Sequence, residues 1–254
     1  MELRGKNVWL IGASSGIGAA LVPALVAEGA LLALSSRDGQ ALRQIAERHQ
    51  IPDYPIIIKP LDVTEHGAIA RIESELREMW GHVDVMIYNA GAWQAVDVDK
   101  WDTDAFEQMI AVNYAGMQRA IGAVLPGMLA RRSGEIVGVG SLSAYAGLPR
   151  AEAYGSTKAA VNSMLQSLRF DVARRGIGVT TVNPGFVKTK LTAENDFPMP
   201  FLLKPEQAAR AIVDGMLAGR PEIHFPKRLS IPLKLLTALP RPVYEWLVMR
   251  TIKR

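Results

Sequence analysis

The 254-residue sequence predicts an α/β fold, one doubly wound parallel β-sheet with helices on both faces. Three observations carry that prediction. Short β-branched or aliphatic runs alternate with segments of helical spacing, the pattern of repeated β-α units joined by right-handed crossovers. The runs are apolar nearly throughout rather than at every second residue, as strands buried on both faces must be. A glycine cluster stands between the first run and the first helical segment, beyond the carboxyl end of a strand, where such folds bind ligands.

The elements follow in order. Asn7 to Ile11 is the first strand; Gly12-Ala-Ser-Ser-Gly16-Ile-Gly18 turns it into a helix over Ile17 to Glu28. Strand Ala30 to Ser35 precedes helix Gln40 to His49, strand Pro55 to Leu61 precedes helix Glu65 to Trp80, and strand Val83 to Tyr88 precedes a long helix from Asp104 to Arg131. Gly134 to Val139 and Ile177 to Val182 flank a helix over Ala153 to Arg174, and a helix over Pro205 to Ala218 leads to a weaker strand, Glu222 to Phe225. No Pro-, Gly- or Ser-rich linker divides the chain. Residues 1–226 are expected to form one domain, with 227–254 as a basic, apolar C-terminal extension.

Composition narrows the class. Hydrophobic residues make up 49% and charged residues 21% of the chain, enough to bury a substantial core. The absence of cysteine excludes disulfides, thiolate metal sites and cysteine nucleophiles, and makes a reducing cytoplasm the simplest compartment. His49, His66, His82 and His224 stand singly, so no metal site is expected. The start, MELRGKNVWLIG, lacks the long apolar core of a secretory signal, and no run approaches the roughly 18 apolar residues of a membrane span. Of 29 basic and 25 acidic residues, seven and one fall in 227–254, leaving a slightly acidic body of 22 and 24. That balance argues against nucleic-acid binding.

The glycine turn is read as a phosphate site. Backbone N–H groups at a helix start, free of side-chain bulk, attract anions, and a pyrophosphate is the natural guest. The spacing Gly-x-x-x-Gly-x-Gly is one residue wider than the common dinucleotide fingerprint, and its place after strand one favours this over a mere tight turn. At the end of strand two, an acid would hold a ribose 2′-hydroxyl, whereas an arginine accommodates a 2′-phosphate. Ser36 holds that place and Arg37 follows, so NADP(H) is favoured over NAD(H). The plainer reading is a solvated arginine beside Asp38.

Tyr154 and Lys158, at i and i+4, share a helix face. A phenol titrates near 10, and bringing it to neutrality requires about 4 kcal/mol. A lysine charge about 5 Å away, at an effective dielectric of about 20, supplies about 3 kcal/mol. A cationic nicotinamide ring is expected to add the remainder, so the pair works only with cofactor present. Ser141, at the end of the fifth strand, is placed to hydrogen-bond the substrate oxygen, with Ser143 as its rival. Asn113, within the long helix, is placed to hold a water leading from Lys158 to solvent; the bland reading is a polar spacer or local kink.

Together these residues resemble the short-chain dehydrogenase/reductase family, in its subgroup of about 250-residue chains. The resemblance runs in the family's order through the glycine turn, Asp62-Val63, Asn89-Ala90-Gly91, Asn113, Ser141, Tyr154-x-x-x-Lys158 and Asn183-Pro184-Gly185, up to about residue 190. It implies a single Rossmann-type NAD(P)-binding domain and reversible hydride transfer between a nicotinamide and a carbonyl or alcohol. By that resemblance Tyr154 is the general acid/base, Lys158 lowers its pKa and holds the nicotinamide ribose, Ser141 orients substrate and Asn113 completes the proton relay. Asp62 and Val63 would border the adenine, Asn89, Ala90 and Gly91 the adenosine ribose, and Pro184, Val187 and Thr189 the nicotinamide. Ser14, Ser15 and Arg37 would meet the 2′-phosphate or its neighbours, and Ile17 joins Gly12, Gly16 and Gly18 at the cofactor. Two departures stand out: Ile11 replaces the family's usual Thr, removing a hydrogen bond from the turn, and Tyr88 replaces a second Asn.

The residues available to line a substrate pocket are Trp93, Tyr145, Leu148, Phe186, Phe197, Met199, Phe201 and Leu202, beside Ser141. They are apolar and offer no arginine cluster, which points to a hydrophobic ketone, aldehyde or alcohol, although several of them suit simple lid packing equally. The tail, FPKRLSIPLKLLTALPRPVYEWLVMRTIKR, suits packing over the substrate mouth or a partner subunit, and equally a helix pair in peripheral contact with the inner face of a membrane. A homodimer or homotetramer through the two long helices is implied by the resemblance alone. Two other functions share these residues: a redox-neutral enzyme with retained cofactor, and a nucleotide-sensing binding protein without turnover.

Overall fold

The computed structural model describes residues 1–49, 55–193 and 195–251. Its strands are β1 (Asn7–Ile11), β2 (Leu31–Ser35), β3 (Ile57–Ile58), β4 (Val85–Tyr88), β5 (Gly134–Val139), β6 (Ile177–Pro184) and β7 (Glu222–Phe225). They form one parallel sheet in the order β3-β2-β1-β4-β5-β6-β7. The chain winds from β1 out to β3, then returns to β4 on the other side of β1, so the switch in strand order falls between β1 and β4.

All residues of β1 are buried, and the pleat divides them. Val8 and Leu10 enter one core with α1 (Gly16–Ala27) and α7 (Pro205–Leu217). Trp9 and Ile11 enter the other with α3 (Ala68–Trp80), α5 (Gly116–Arg131) and α6 (Glu152–Val172). The remaining helices are α2 (Gly39–His49), α4 (Thr103–Met109), α8 (Lys227–Thr237) and α9 (Arg241–Thr251). The Trp9 indole N–H donates to Ser35 Oγ at 2.9 Å, satisfying a polar group that burial would otherwise penalise.

Three elements differ from expectation for local reasons. The third strand keeps regular pairing only at Ile57–Ile58, although Lys59 N and Leu61 N still bond Leu34 O and Ser36 O across Pro60, which has no N–H to give. The third helix starts at Ala68 because Gly67, at φ +78, sits in the left-handed region. The long helix is not continuous: a π-helical turn, Ile110–Ala115, separates α4 from α5 and carries Asn113. Among the described residues, no helix is long and apolar enough to cross a membrane.

Candidate active site

The glycine turn is closed by the chain itself. A Cβ on Gly12, whose φ is +89, would lie 2.5 Å from Ala90 N, and one on Gly18 would lie 2.0 Å from Gly12 O. A Cβ on Gly16 would lie 2.8 Å from Thr189 Cγ2. Thus β1's exit, β4's exit and the segment after β6 converge at distances only glycine permits. Ile11 makes no side-chain hydrogen bond here, but the turn is tied down all the same: Asn89 Nδ2 donates to Gly12 O at 2.8 Å, and Asn89 N to Ile11 O at 2.8 Å. The outward side of the turn is open. Ser15, at the N-cap of α1, makes no side-chain capping bond, and the first turn holds no acid. An uncapped helix start without negative charge fits a diphosphate.

A cavity of about 330 Å³ runs along the carboxyl ends of β1, β2, β4, β5 and β6. Its lining includes Gly12, Ser14, Ser15, Gly16 and Ile17 at the turn, Arg37, Asp62 and Val63 at one end, and Asn89, Ala90 and Gly91 along the middle. Ser141, Tyr154, Lys158, Pro184, Val187 and Thr189 line the other end. Gly18 lies behind this surface, packed on Gly12 O. Gln108, which sequence reasoning missed, also lines the cavity, as do Lys190, Leu191 and Thr192 of the segment after Pro184-Gly185. Lys190–Thr192 is a short 3-10 turn whose position follows only from Thr189 meeting Gly16.

Arg37 is exposed at the cavity wall and does not pair with Asp38, whose Oδ1 instead accepts from Ala41 N at 2.9 Å at the start of α2. Asp62 Oδ1 accepts from Thr64 Oγ1 at 2.7 Å and Thr64 N at 2.9 Å. These bonds, with the Arg37 charge, hold its carboxyl below the ordinary range, although burial opposes them.

At the other end, Tyr154 and Lys158 share the inner face of α6, with Lys158 Nζ 5.6 Å from the centre of the Tyr154 ring. Burial pushes the Tyr154 phenol up to about 12, opposed by its hydrogen bond with Ser141. Burial likewise pulls the Lys158 ammonium down to about 8, and its Nζ donates to Val139 O at 2.9 Å. In the protein alone the phenol is therefore raised, not lowered as a base near neutrality requires, which leaves the downward shift to a further positive charge in the cleft. Ser141 Oγ accepts from both Ser143 N (3.1 Å) and Ser143 Oγ (3.0 Å), so the two hydroxyls are joined by a hydrogen bond, and of the two Ser141 lines the cavity.

Asn113 lies behind the cavity. Its Oδ1 accepts from Ala92 N at 2.8 Å and its Nδ2 donates to Ala92 O and Thr157 Oγ1, each at 3.0 Å. The side chain thus ties the loop after β4 to α6. Tyr88, read from sequence only as a departure, donates its hydroxyl to Val112 O at 2.6 Å, beside Asn113 in the π-turn. Gly116 makes room for it, since a Cβ there would lie 2.2 Å from the Tyr88 hydroxyl oxygen.

On the substrate side, Trp93 meets the Tyr154 ring edge-on at 5.2 Å, and its Nε1 donates to Asn195 Oδ1 at 3.0 Å. Phe186 packs edge-on against Phe197 at 6.0 Å. Neither they nor Leu148 line the cavity. Tyr145 is turned away: its hydroxyl donates to Glu222 Oε1 at 2.6 Å. Glu222 also accepts from Asn183 Nδ2 at 3.0 Å and Lys234 Nζ at 2.5 Å, while Asn183 Oδ1 accepts from Ser141 N at 3.0 Å. No sequence signal linked Glu222 to this loop, because its three partners, Tyr145, Asn183 and Lys234, lie in three separate segments.

Known proteins resemble this chain in sequence and in fold. A curated relative from Myxococcus xanthus, called an uncharacterized oxidoreductase, is 32% identical over 96% of each chain, and one from Staphylococcus saprophyticus is 33% identical over 84% of this chain and 92% of its own. Among solved structures, a short-chain dehydrogenase from Streptomyces avermitilis is similar at TM-score 0.81 and 26% identity, covering 97% of this chain and 98% of its own. ElxO with NADP bound is similar at TM-score 0.77 and 26% identity over 87% and 97%. The sequence profile described as short chain dehydrogenase matches residues 6–198, and the chain belongs to that family of oxidoreductases.

Proposed function

We propose that this protein is an NADPH-preferring reductase or dehydrogenase for a hydrophobic carbonyl/alcohol pair, with residues 1–226 as the catalytic unit. The observation that carries the reading is the convergence of Ser141, Tyr154 and Lys158 at one end of a cavity whose other end presents Arg37. When bound, the nicotinamide supplies or accepts the hydride. Gly12, Ser14, Ser15 and Gly16 hold the diphosphate against the α1 start, and Arg37 meets a 2′-phosphate with charge-assisted hydrogen bonds. Asp62 and Val63 flank the adenine, Asn89 to Gly91 its ribose, and Pro184, Val187 and Thr189 the nicotinamide.

Ser141 donates a hydrogen bond to the substrate oxygen, and Tyr154 gives that oxygen a proton in reduction or removes one in oxidation. Lys158 favours the phenolate once a second positive charge joins it, and Asn113 holds the loop and helix past which the proton is replenished. Trp93 packs edge-on against the Tyr154 ring from outside the cavity and steadies it. NADP bound in the similar ElxO supports the cofactor choice. Exposed Ile110 beside α4 and Phe170 on α6 suit pairing of two copies through the long helices, and a cytoplasmic protein in peripheral contact with a membrane accords with the tail.

The test is consumption of NADPH and of NADH, followed by absorbance, with a panel of hydrophobic ketones and aldehydes. Turnover with NADPH in preference to NADH is expected. Tight NADPH binding without turnover on any of them would instead support a nucleotide sensor.

A further inference from the structure

Helices α8 and α9 are apolar on two faces. Leu229, Leu233 and Leu236 of α8 and Tyr244, Leu247 and Val248 of α9 are half-buried. That face is held to the body by Lys234 on Glu222 and by the Tyr244 hydroxyl donating to Gly147 O at 2.7 Å. The opposite face, which an ordinary surface helix makes polar, carries Ile231, Leu235, Val243, Trp246 and Met249, with Leu235 66% and Met249 67% exposed. Leu239, between the helices, is exposed as well. Exposed Val98 and Trp101 after β4 and Phe201 and Leu202 after β6 belong to loops at the carboxyl end of the sheet, where α8 also begins and the cavity lies.

Charge selects what covers this face. Of the seven basic residues in 227–254, Lys234 is paired with Glu222 at 2.5 Å and Arg241 with the one acid, Glu245, at 2.7 Å, so that among the described residues Lys227, Arg228 and Arg250 carry the net positive charge. The Arg250 guanidinium lies 3.8 Å over the Trp246 ring, an aromatic and a cation side by side. A two-fold dimer through this face would set the basic patch against itself, at an electrostatic cost. An anionic lipid surface takes the same pattern favourably, with apolar side chains among the acyl chains and lysines and arginines at the headgroups.

We infer that the outer face of α8 and α9 docks the protein on an anionic lipid surface. Docking itself does not depend on the reaction. Its consequence for substrate, that an apolar carbonyl compound reaches the cleft from the lipid, rests on the reading above.

The full chain is sedimented with vesicles of phosphatidylcholine and with vesicles in which about half is replaced by phosphatidylglycerol. Binding to the second kind only, weakened by salt, is expected. The combined variant Leu235→Glu, Trp246→Glu and Met249→Glu should lower vesicle partition about tenfold or more. Its NADPH affinity, melting temperature and turnover of a water-soluble ketone should stay unchanged. Lys227→Glu with Arg228→Glu should weaken anionic-vesicle binding without altering the oligomer. No partition of the natural chain, undiminished partition of the triple variant, or a dimer that the triple variant dissociates would overturn the inference. Inactivity of the natural chain toward every carbonyl compound would strike the proposed reaction and leave the docking result standing.

Discussion

Around the glycine turn, a Cβ on Gly12 or Gly18 would strike backbone and one on Gly16 the Thr189 side chain, whereas in the described part of 227–251 only Ser230 is buried and the helices are held by contacts such as Lys234 to Glu222 and Tyr244 to Gly147. The first region is specified by backbone proximity, which admits one residue type at each position. The second is specified by side-chain tips, which many residues can replace. The cleft should therefore break sharply under small changes, and the hairpin should yield by degrees.

The largest expected effect is that of Gly18→Val, whose Cβ would stand 2.0 Å from the Gly12 carbonyl oxygen, a backbone atom with no room to move. The variant should lose more than about 3 kcal/mol of stability, through overpacking beside a fixed turn, together with NADPH binding. A melting curve and a fluorescence titration check it, and a stable, cofactor-binding variant would show that the turn is softer than its geometry. Next in size, Tyr154→Phe should lower turnover by about 10³-fold, the range of a lost general acid, while NADPH affinity holds. Substantial residual rate would take the proton step away from Tyr154.

The same contrast explains what the sequence made legible. The strands at Asn7–Ile11, Gly134–Val139 and Glu222–Phe225 have the ranges the apolar runs predict, because burial on both faces writes itself directly into composition. That the glycine turn and the Tyr154-Lys158 pair line one cleft could be read because both stand at particular spacings beside the ends of strands. The π-turn at Ile110–Ala115 could not be read, since it depends on Tyr88 reaching Val112 O from another strand through the space left by Gly116. Tyr145 was misplaced for the same kind of reason: Glu222 lies 77 residues away, and nothing in the local pattern announces that bond.

Arg37→Asp sits between the two extremes, because Arg37 is exposed yet belongs to the cleft. Removing charge-assisted hydrogen bonds to a 2′-phosphate, about 1.5 to 3 kcal/mol, should reduce the NADPH over NADH preference about 10-fold to 150-fold. The ratio of kcat/KM for the two cofactors measures it. Unchanged selectivity would assign the 2′-phosphate to another group, and Lys190, at the cavity wall, would be the next residue to change.

The smallest effect is expected at Glu222, which ties α8 to the loop after β5. Burial pushes its carboxyl up, but hydrogen bonds from Lys234, Tyr145 and Asn183, with the Lys234 charge, outweigh burial and leave it at about 2, against an ordinary 4.5. Between those values the unfolded chain binds a proton that the folded chain refuses, so stability rises with pH across that window. The contribution is complete above 4.5 and is lost as pH falls towards about 2. Glu222→Gln keeps an acceptor for Tyr145 but gives up the charge facing Lys234, and at neutral pH it should cost no more than about 1 kcal/mol, since the pair is partly solvated. The difference in melting temperature between natural chain and variant should shrink as the solution is acidified. A difference that stays constant would mean that Glu222 acts through shape alone, and that the hairpin is held by packing rather than by charge.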